Sequence, residues 1–245
     1  MKSTGNTFLI TGGATGIGFA LAQRLISSGN TVVVCGRRQD ALSTAAATLP
    51  GLVTRRCDIT VDADRSDLVD WLLENYPALN VLINNAGIQQ SLEFVTSVPV
   101  DRAVIAEIET NLIAPILLTS ALLPHLRTKE SATVMNVSSG LAFCPIAAMP
   151  VYCATKAALH SLTLSMRHLL RDTSVRVVEL LPPMVDTMLN PSIRRSSGGD
   201  SYMITAAEFA DDALAQLAQG EVEVVVGRAR GLKEGREGMF RLLNG

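Results

Sequence analysis

Between the apolar run Phe8-Leu9-Ile10 and the helix-patterned segment Phe19 to Ser28 lies Thr11-Gly12-Gly13-Ala14-Thr15-Gly16-Ile17-Gly18. No other junction in the chain limits the possible folds as much. A short buried strand that turns on glycine straight into an apolar helix is the first half of a βαβ unit, and such units build parallel sheets. Phe19, Leu21, Ala22, Leu25 and Ile26 recur at helical spacing, and Gly29-Asn30 ends the helix. Gly12 permits a tight turn, while Gly16 and Gly18 allow close approach to a pyrophosphate. Such a group would sit at the helix N-terminus, where unpaired N–H groups and the helix dipole favour negative charge. The rival reading is a merely tight strand-to-helix turn.

The alternation continues along the chain. Strands are predicted at Thr31–Cys35, Leu52–Arg56, Asn80–Ile83, Ala132–Val137, Val175–Leu181 and Glu223–Val226. Helices are predicted at Asp40–Leu49, Asp64–Glu74, Arg102–Leu126 (bent at Pro115), Tyr152–Leu170 and Ala206–Ala218. This order predicts a Rossmann-type α/β fold: a doubly wound, seven-stranded, mainly parallel sheet with helices on both faces. With 48% hydrophobic and 18% charged residues, the composition suits a sheet covered on both sides. A length of 245 residues fits one domain, 1–245, that needs no staples. Only the tail from Gly227 takes no assignment.

Several functions are excluded. A net charge of −2 without a basic tract argues against nucleic acid. No apolar stretch is expected to reach the ~20 residues of a membrane span, and the polar start is not a signal peptide. Cys35, Cys57, Cys144 and Cys153 lack metal-site spacing and are read as free thiols in a reducing cytoplasm. His125, His160 and His168 fall on predicted helices without ligand spacing, so they are read as packing or surface residues and no metal is predicted.

Tyr152 and Lys156 stand one helical turn apart on one face. A phenol beside an ammonium is a plausible acid–base group. At an effective dielectric of ~20, a cation about 5 Å away favours the phenolate by at most ~3 kcal/mol, or roughly two pH units. That would bring Tyr152 towards the range of efficient proton transfer. Alone, the spacing is common.

Together the elements resemble the short-chain dehydrogenase/reductases, in their compact single-domain branch, over Thr7 to Thr187. The resemblance rests on Thr11-Gly-x-x-x-Gly-x-Gly18, Asp58, Asn84-Asn85-Ala86-Gly87, Asn111, Ser139 and Tyr152-x-x-x-Lys156 in the family's order. It implies a nicotinamide cofactor and a small carbonyl or alcohol substrate. Tyr152 would be the acid or base, and Ser139 (rather than Ser138) would hydrogen-bond the reacting oxygen. Lys156 would lower the Tyr152 pKa and bind the ribose hydroxyls, and Asn111 would hold a relay water. Cofactor contacts are expected from Gly12, Thr15, Gly16, Ile17, Gly18, Asp58, Ile59, Asn85, Ala86, Gly87, Pro182, Val185 and Thr187. Asp58 would face the adenine amino group, or simply cap the turn through Thr60. Bracing between strands is an equally good role for Asn84.

At the end of strand two an acidic residue would repel a 2′-phosphate, but here stand Gly36, Arg37 and Arg38. A charge-assisted phosphate contact contributes about 1.5–3 kcal/mol, so NADP(H) is expected over NAD(H), unless the arginines are ordinary solvated charges. The family's Pro-Gly after strand six is replaced by Pro182-Pro183, and Pro183 loses a donor and a free φ. This form and Asn-Asn-Ala-Gly-Ile-Gln are similar to a bacterial subset labelled DltE-like oxidoreductases. Residues 188–203 are expected to form a substrate lid, with Arg194 and Arg195 read as solvent-exposed. Ile88, Leu141, Phe143, Met184 and Met188 are the expected substrate pocket, which suits a small apolar compound. The family also implies a homodimer or homotetramer. A non-catalytic NADP(H)-sensing protein is the alternative; an epimerase or dehydratase would normally carry a larger C-terminal domain.

Overall fold

Runs of Val, Ile and Leu without polar alternation suit strands buried on both faces, and each such run forms a strand. In chain order the elements are β1 (Thr7–Thr11), α1 (Gly16–Ser27), β2 (Thr31–Gly36), α2 (Gln39–Thr48), β3 (Val53–Arg56) and α3 (Asp62–Asn75). Next come β4 (Leu79–Asn84), α4 (Asp101–Ile108), α5 (Ala114–Leu126), β5 (Ala132–Val137), α6 (Pro150–Leu169) and β6 (Val175–Leu181). The chain closes with β7 (Val185–Asp186), β8 (Ile204–Thr205), α7 (Ala206–Ala218), β9 (Glu223–Val225), α8 (Ala229–Gly235) and α9 (Phe240–Asn244). The computed structural model describes residues 3–91, 101–187, 189 and 203–245.

The large sheet has the order β3-β2-β1-β4-β5-β6-β9, and every neighbouring pair is parallel. This is the predicted doubly wound sheet. Alternate residues of one strand feed opposite cores: Phe8 and Ile10 join the α1/α7 side with Phe209, and Leu9 joins the α3/α5 side with Leu118 and Leu122. Strand order reverses between β1 and β4, which opens a crevice at the carboxyl ends of the strands.

One polar row crosses the buried sheet. Asn84, Asn136, Glu179 and Glu223 lie side by side on β4, β5, β6 and β9. Asn84 Nδ2 donates to Asn136 Oδ1 at 2.9 Å and to Thr119 Oγ1 at 3.0 Å, while Asn136 Nδ2 donates to Thr163 Oγ1 at 2.8 Å. Glu179 Oε2 meets His160 Nδ1 at 2.8 Å, and Glu223 pairs with Lys233. The row therefore ties the sheet to α5, α6 and the C-terminal tail.

One expectation is corrected. Arg102–Leu126 is 25 residues of helix holding an 18-residue window with a mean hydropathy of 1.4, so one stretch does meet the length and composition of a membrane span. Leu118, Leu122 and Leu126 bury that apolarity against the sheet, as a core helix does. Just before Pro115, where a bend is expected, the run is interrupted by a π turn at Glu109–Ile113. Pro115 has no N–H to return to residue 111, and just before it the Ala114 N–H bonds Glu109 O, five residues back. Finally, the unassigned tail folds onto its own chain. A Cβ added at Gly140 would lie 2.9 Å from Leu232 Cδ1 and 3.1 Å from Ala229 Cα. Asn244 Oδ1 accepts from the Ala147 N–H at 2.6 Å.

Candidate active site

Loops leaving β1 to β6 converge on one cleft of about 460 Å³. At its phosphate end Gly12 adopts φ +64°, and a Cβ there would sit 2.9 Å from Ala86 Cα, so only glycine fits. Thr15 precedes α1 with no side-chain cap, and the first turn of the helix holds no acidic residue. The first N–H groups of α1 thus have no side chain to bond and face the cleft beside Gly16 and Ile17, ready for an anion. Gly18 does not line the cleft: a Cβ there would meet Asn85 Nδ2 at 2.6 Å and Gly12 O at 2.8 Å. Its lack of a side chain lets α1 pack closely against the Gly12 and Asn85 loops. Asn85 braces this loop, donating to Thr11 O at 2.9 Å and Gly12 O at 3.2 Å, and it lines the cleft with Ala86 and Gly87.

At the far end Arg37 and Arg38 are exposed and line the cleft with Asp58 and Ile59. Asp58 caps the turn, as one of its two expected roles has it. Its Oδ1 accepts from Thr60 N and Oγ1, at 3.0 and 2.7 Å, while Oδ2 lies 3.9 Å from Arg37 Nη1. Across the cleft pass Pro182, Val185 and Thr187, and the Thr187 side chain rests against Gly16. The Pro182-Pro183 turn thus still delivers this loop to the phosphate end.

Helix α6 enters the cleft with its buried face of Tyr152, Thr155, Lys156, Leu159 and Thr163, the i, i+3, i+4, i+7 pattern of an apolar-lined stripe. Tyr152 and Lys156 are 6% and 4% exposed, and both line the cleft with Ser138 and Ser139. Ser139 caps the Gly140–Ala142 turn through Leu141 N at 3.1 Å, and its hydroxyl pulls the pKa of the Tyr152 phenol down. Lys156 Nζ donates to the Val137 carbonyl at 2.8 Å and stands 5.6 Å from the Tyr152 ring centre. The expected lowering of the Tyr152 pKa is reversed here. Burial pushes the phenol well above its ordinary range, against the pull of Ser139, and burial brings Lys156 down to about 8. Desolvation of two buried groups outweighs their attraction, because the ammonium is turned to a carbonyl.

Asn111 lies behind the cleft, 1% exposed in the π turn. Its amide bonds Ile88 N and Ile88 O at 2.8 Å each and Thr155 Oγ1 at 3.2 Å. Of the described residues of the expected substrate pocket, only Ile88 lines this cleft. Leu141 packs on Met149, Tyr152 and Cys153. Phe143 turns into a core with Leu181, Val225 and Ala229, its ring 4.5 Å from His160, because α8 covers that side. Met184 is exposed outside the cleft. Met188, Arg194 and Arg195 lie outside the described residues, and of the expected lid only Leu189 and Met203 are described; Leu189 lines the cleft.

Sequence reasoning missed three features. Glu107, four residues before Asn111, is a buried carboxylate whose charge acts on Lys156 and Tyr152; a lone Glu on a helix reads as a solvated charge. Cys35 and Cys57, both free and buried, line the cleft, and the Cys57 thiol donates to Asp64 O at 3.5 Å. His160, Glu179 and Glu223 bring ligand atoms within 4.8 Å of one another, but the Lys233 ammonium already sits on Glu223.

Known proteins share both the sequence and the fold. Residues 6–198 match the model for short chain dehydrogenases. A Bacillus subtilis (strain 168) protein described as the uncharacterised oxidoreductase DltE is 46% identical over 234 residues, 96% of this chain and 93% of that protein. A crystal structure of a short chain dehydrogenase from Burkholderia cenocepacia J2315, in complex with NADP, superposes with a TM-score of 0.84 at 27% identity, covering 99% of both chains. A Burkholderia phymatum short chain dehydrogenase/reductase in complex with NAD shares the fold, with a TM-score of 0.84 at 22% identity over 100% of this chain and 97% of that one. By its family model and its relatives, this chain belongs to the short-chain dehydrogenase/reductase family of oxidoreductases.

Proposed function

We propose that the chain is an NADP(H)-dependent oxidoreductase acting on a carbonyl compound or secondary alcohol. The observation that carries this reading is one cleft shared by three things: a helix N-terminus without a side-chain cap, a pair of arginines, and Tyr152 with Ser139 and Lys156. The cleft fits a nicotinamide dinucleotide. Gly12, Thr15, Gly16 and Ile17 would receive the pyrophosphate, Asp58 and Ile59 the adenine, and Asn85, Ala86 and Gly87 the ribose side. Pro182, Val185 and Thr187 would meet the carboxamide. When bound, the nicotinamide supplies or accepts the hydride.

The protein's own groups then do the rest. Tyr152, a neutral phenol at working pH, donates its proton to the carbonyl oxygen that Ser139 holds. Lys156 binds the ribose hydroxyls and stabilises the charge left on Tyr152, and Asn111 fixes Ile88 at the floor. Preference for NADP(H) is supported by Arg37 and Arg38 at the end of β2, with Asp58 steadying Arg37. No observation favours a non-catalytic sensor. Ile113, Ile116 and Leu117 at the start of α5, with Leu164 on α6, expose apolar side chains that fit a homodimer or homotetramer. Four free cysteines fit a reducing cytoplasm.

The test is NADPH consumption over a panel of aldehydes and ketones, with Tyr152→Phe beside the native protein. Turnover is expected only in the native protein. Undiminished turnover in the variant would reject the proton-donor assignment.

A further inference from the structure

Positions 103, 107 and 111 share one face of α4 and the π turn, and they run along the segment that leaves β4. Asn111 bonds both backbone groups of Ile88. Glu107 Oε1 accepts the Gln90 N–H at 3.1 Å, and the Gln90 side-chain amide donates to Ala103 O at 3.1 Å. Since Ile88 lines the cleft, this zipper sets the cleft floor.

Glu107 does more than this work requires. It is 0% exposed, and its Oε2 finds no hydrogen-bond partner. A backbone N–H could be satisfied by a neutral amide, whereas a buried carboxylate is costly unless it faces a cation. The cation at hand is Lys156 on α6, the helix that packs against α4: a Cβ added at Gly87 would lie 3.3 Å from Asn111 Oδ1, one turn along from Glu107, and 3.7 Å from Lys156 Nζ. The Glu107 charge acts on Lys156, Tyr152 and Cys153, all on α6. From β6, Glu179 also acts on Lys156, but less than Glu107 does; its Oε2 meets His160 Nδ1 at 2.8 Å, and its Oε1 likewise has no hydrogen-bond partner.

We propose that Glu107 is a positioning residue of the active site: its buried carboxylate is the counter-charge that holds Lys156 as an ammonium, while its other oxygen fixes the Gln90 end of the cleft floor. The importance of Lys156 rests on the function proposed above; the charge relation does not. The same negative charge opposes a Tyr152 phenolate, so Glu107 helps to keep the tyrosine protonated in the resting site.

The experiment follows Lys156 directly. In cofactor-free protein labelled with 13C-lysine, the Lys156 signal is identified by its loss in Lys156→Met, and its titration midpoint is measured. Glu107→Gln keeps an oxygen for Gln90 and removes only the charge. The midpoint is expected to fall by about one pH unit, and Glu107→Asp is expected to recover most of that drop. An unmoved midpoint in Glu107→Gln overturns the proposal, even if activity is lost, because a merely structural role would leave the titration unchanged. If Glu107→Gln does not fold, Glu107→Asp carries the test: a smaller downward shift supports the proposal and no shift overturns it. A shifted midpoint in a protein that reduces no carbonyl compound would reject the proposed function and leave this inference standing.

Discussion

Replacing Lys156 with Met should make the cofactor-free protein more stable, although it removes a central residue of the site. Burial brings Lys156 from 10.5 down to about 8. Below the lower value the ammonium is present both folded and unfolded, and the fold bears the whole cost, about 3 kcal/mol. As pH rises from about 8 to 10.5 the folded lysine gives up its proton before the unfolded one, so the cost fades. Met fills a similar volume but leaves the Val137 carbonyl without its 2.8 Å donor, a loss of about 1 kcal/mol. The net expectation at pH 7 is about 2 kcal/mol of added stability, or roughly 4–8 °C in Tm for a chain of this size. Near pH 10 the two proteins should agree within about 1 kcal/mol. Tyr152 titrates in both, so it cancels to first order. Thermal or urea unfolding at pH 7 and pH 10, without cofactor, measures this. A variant that is less stable at pH 7, or a difference that does not change with pH, would refute the burial argument. The cofactor should stabilise the variant less than the native protein, since the variant has lost a ribose contact.

Other substitutions probe the remaining parts. Arg37→Asp should lower NADP(H) preference over NAD(H) by roughly ten- to hundredfold in kcat/KM, and an unchanged ratio would remove the arginine from the 2′-phosphate. Gly18→Ala places a methyl 2.6 Å from Asn85 Nδ2 and 2.8 Å from Gly12 O. It should cost about 1–3 kcal/mol of stability and weaken dinucleotide binding, read by unfolding and by fluorescence titration. Asn136→Ala strips partners from Asn84 and Thr163 together and should cost about 1–3 kcal/mol in urea unfolding.

What could be read in advance follows the range of each signal. Strand and helix order, the turn at Gly12 and the Tyr152/Lys156 pair are local patterns of period and spacing, and the structure brings them where those patterns point. That Asp58 caps Thr60 with Oδ1 and turns Oδ2 towards Arg37 shows only once the loops after β2 and β3 are placed side by side. Less accessible were the quantities set by what lies overhead. Phe143 reads as a pocket residue until α8 covers it. Glu107 reads as a surface charge until the segment after β4 is laid across it. The direction of the Tyr152 shift depends on burial and on where the ammonium points, and neither is written in a four-residue spacing.

The polar row through the sheet has a consequence for how the chain finds its pairing. Aliphatic strands of similar composition are poor at telling one alignment from the next. Here Asn84, Asn136 and Glu179 are buried at 3%, 1% and 0% exposure in a single transverse line. Slipping β5 by one residue would turn Asn136 towards the opposite core and break its hydrogen bonds to Asn84 and Thr163, at about 0.5–1.5 kcal/mol for each bond lost. The four residues act as a ruler laid across the strands. By making every misaligned sheet costlier than the aligned one, they hold the loop ends that form the cleft at a common height.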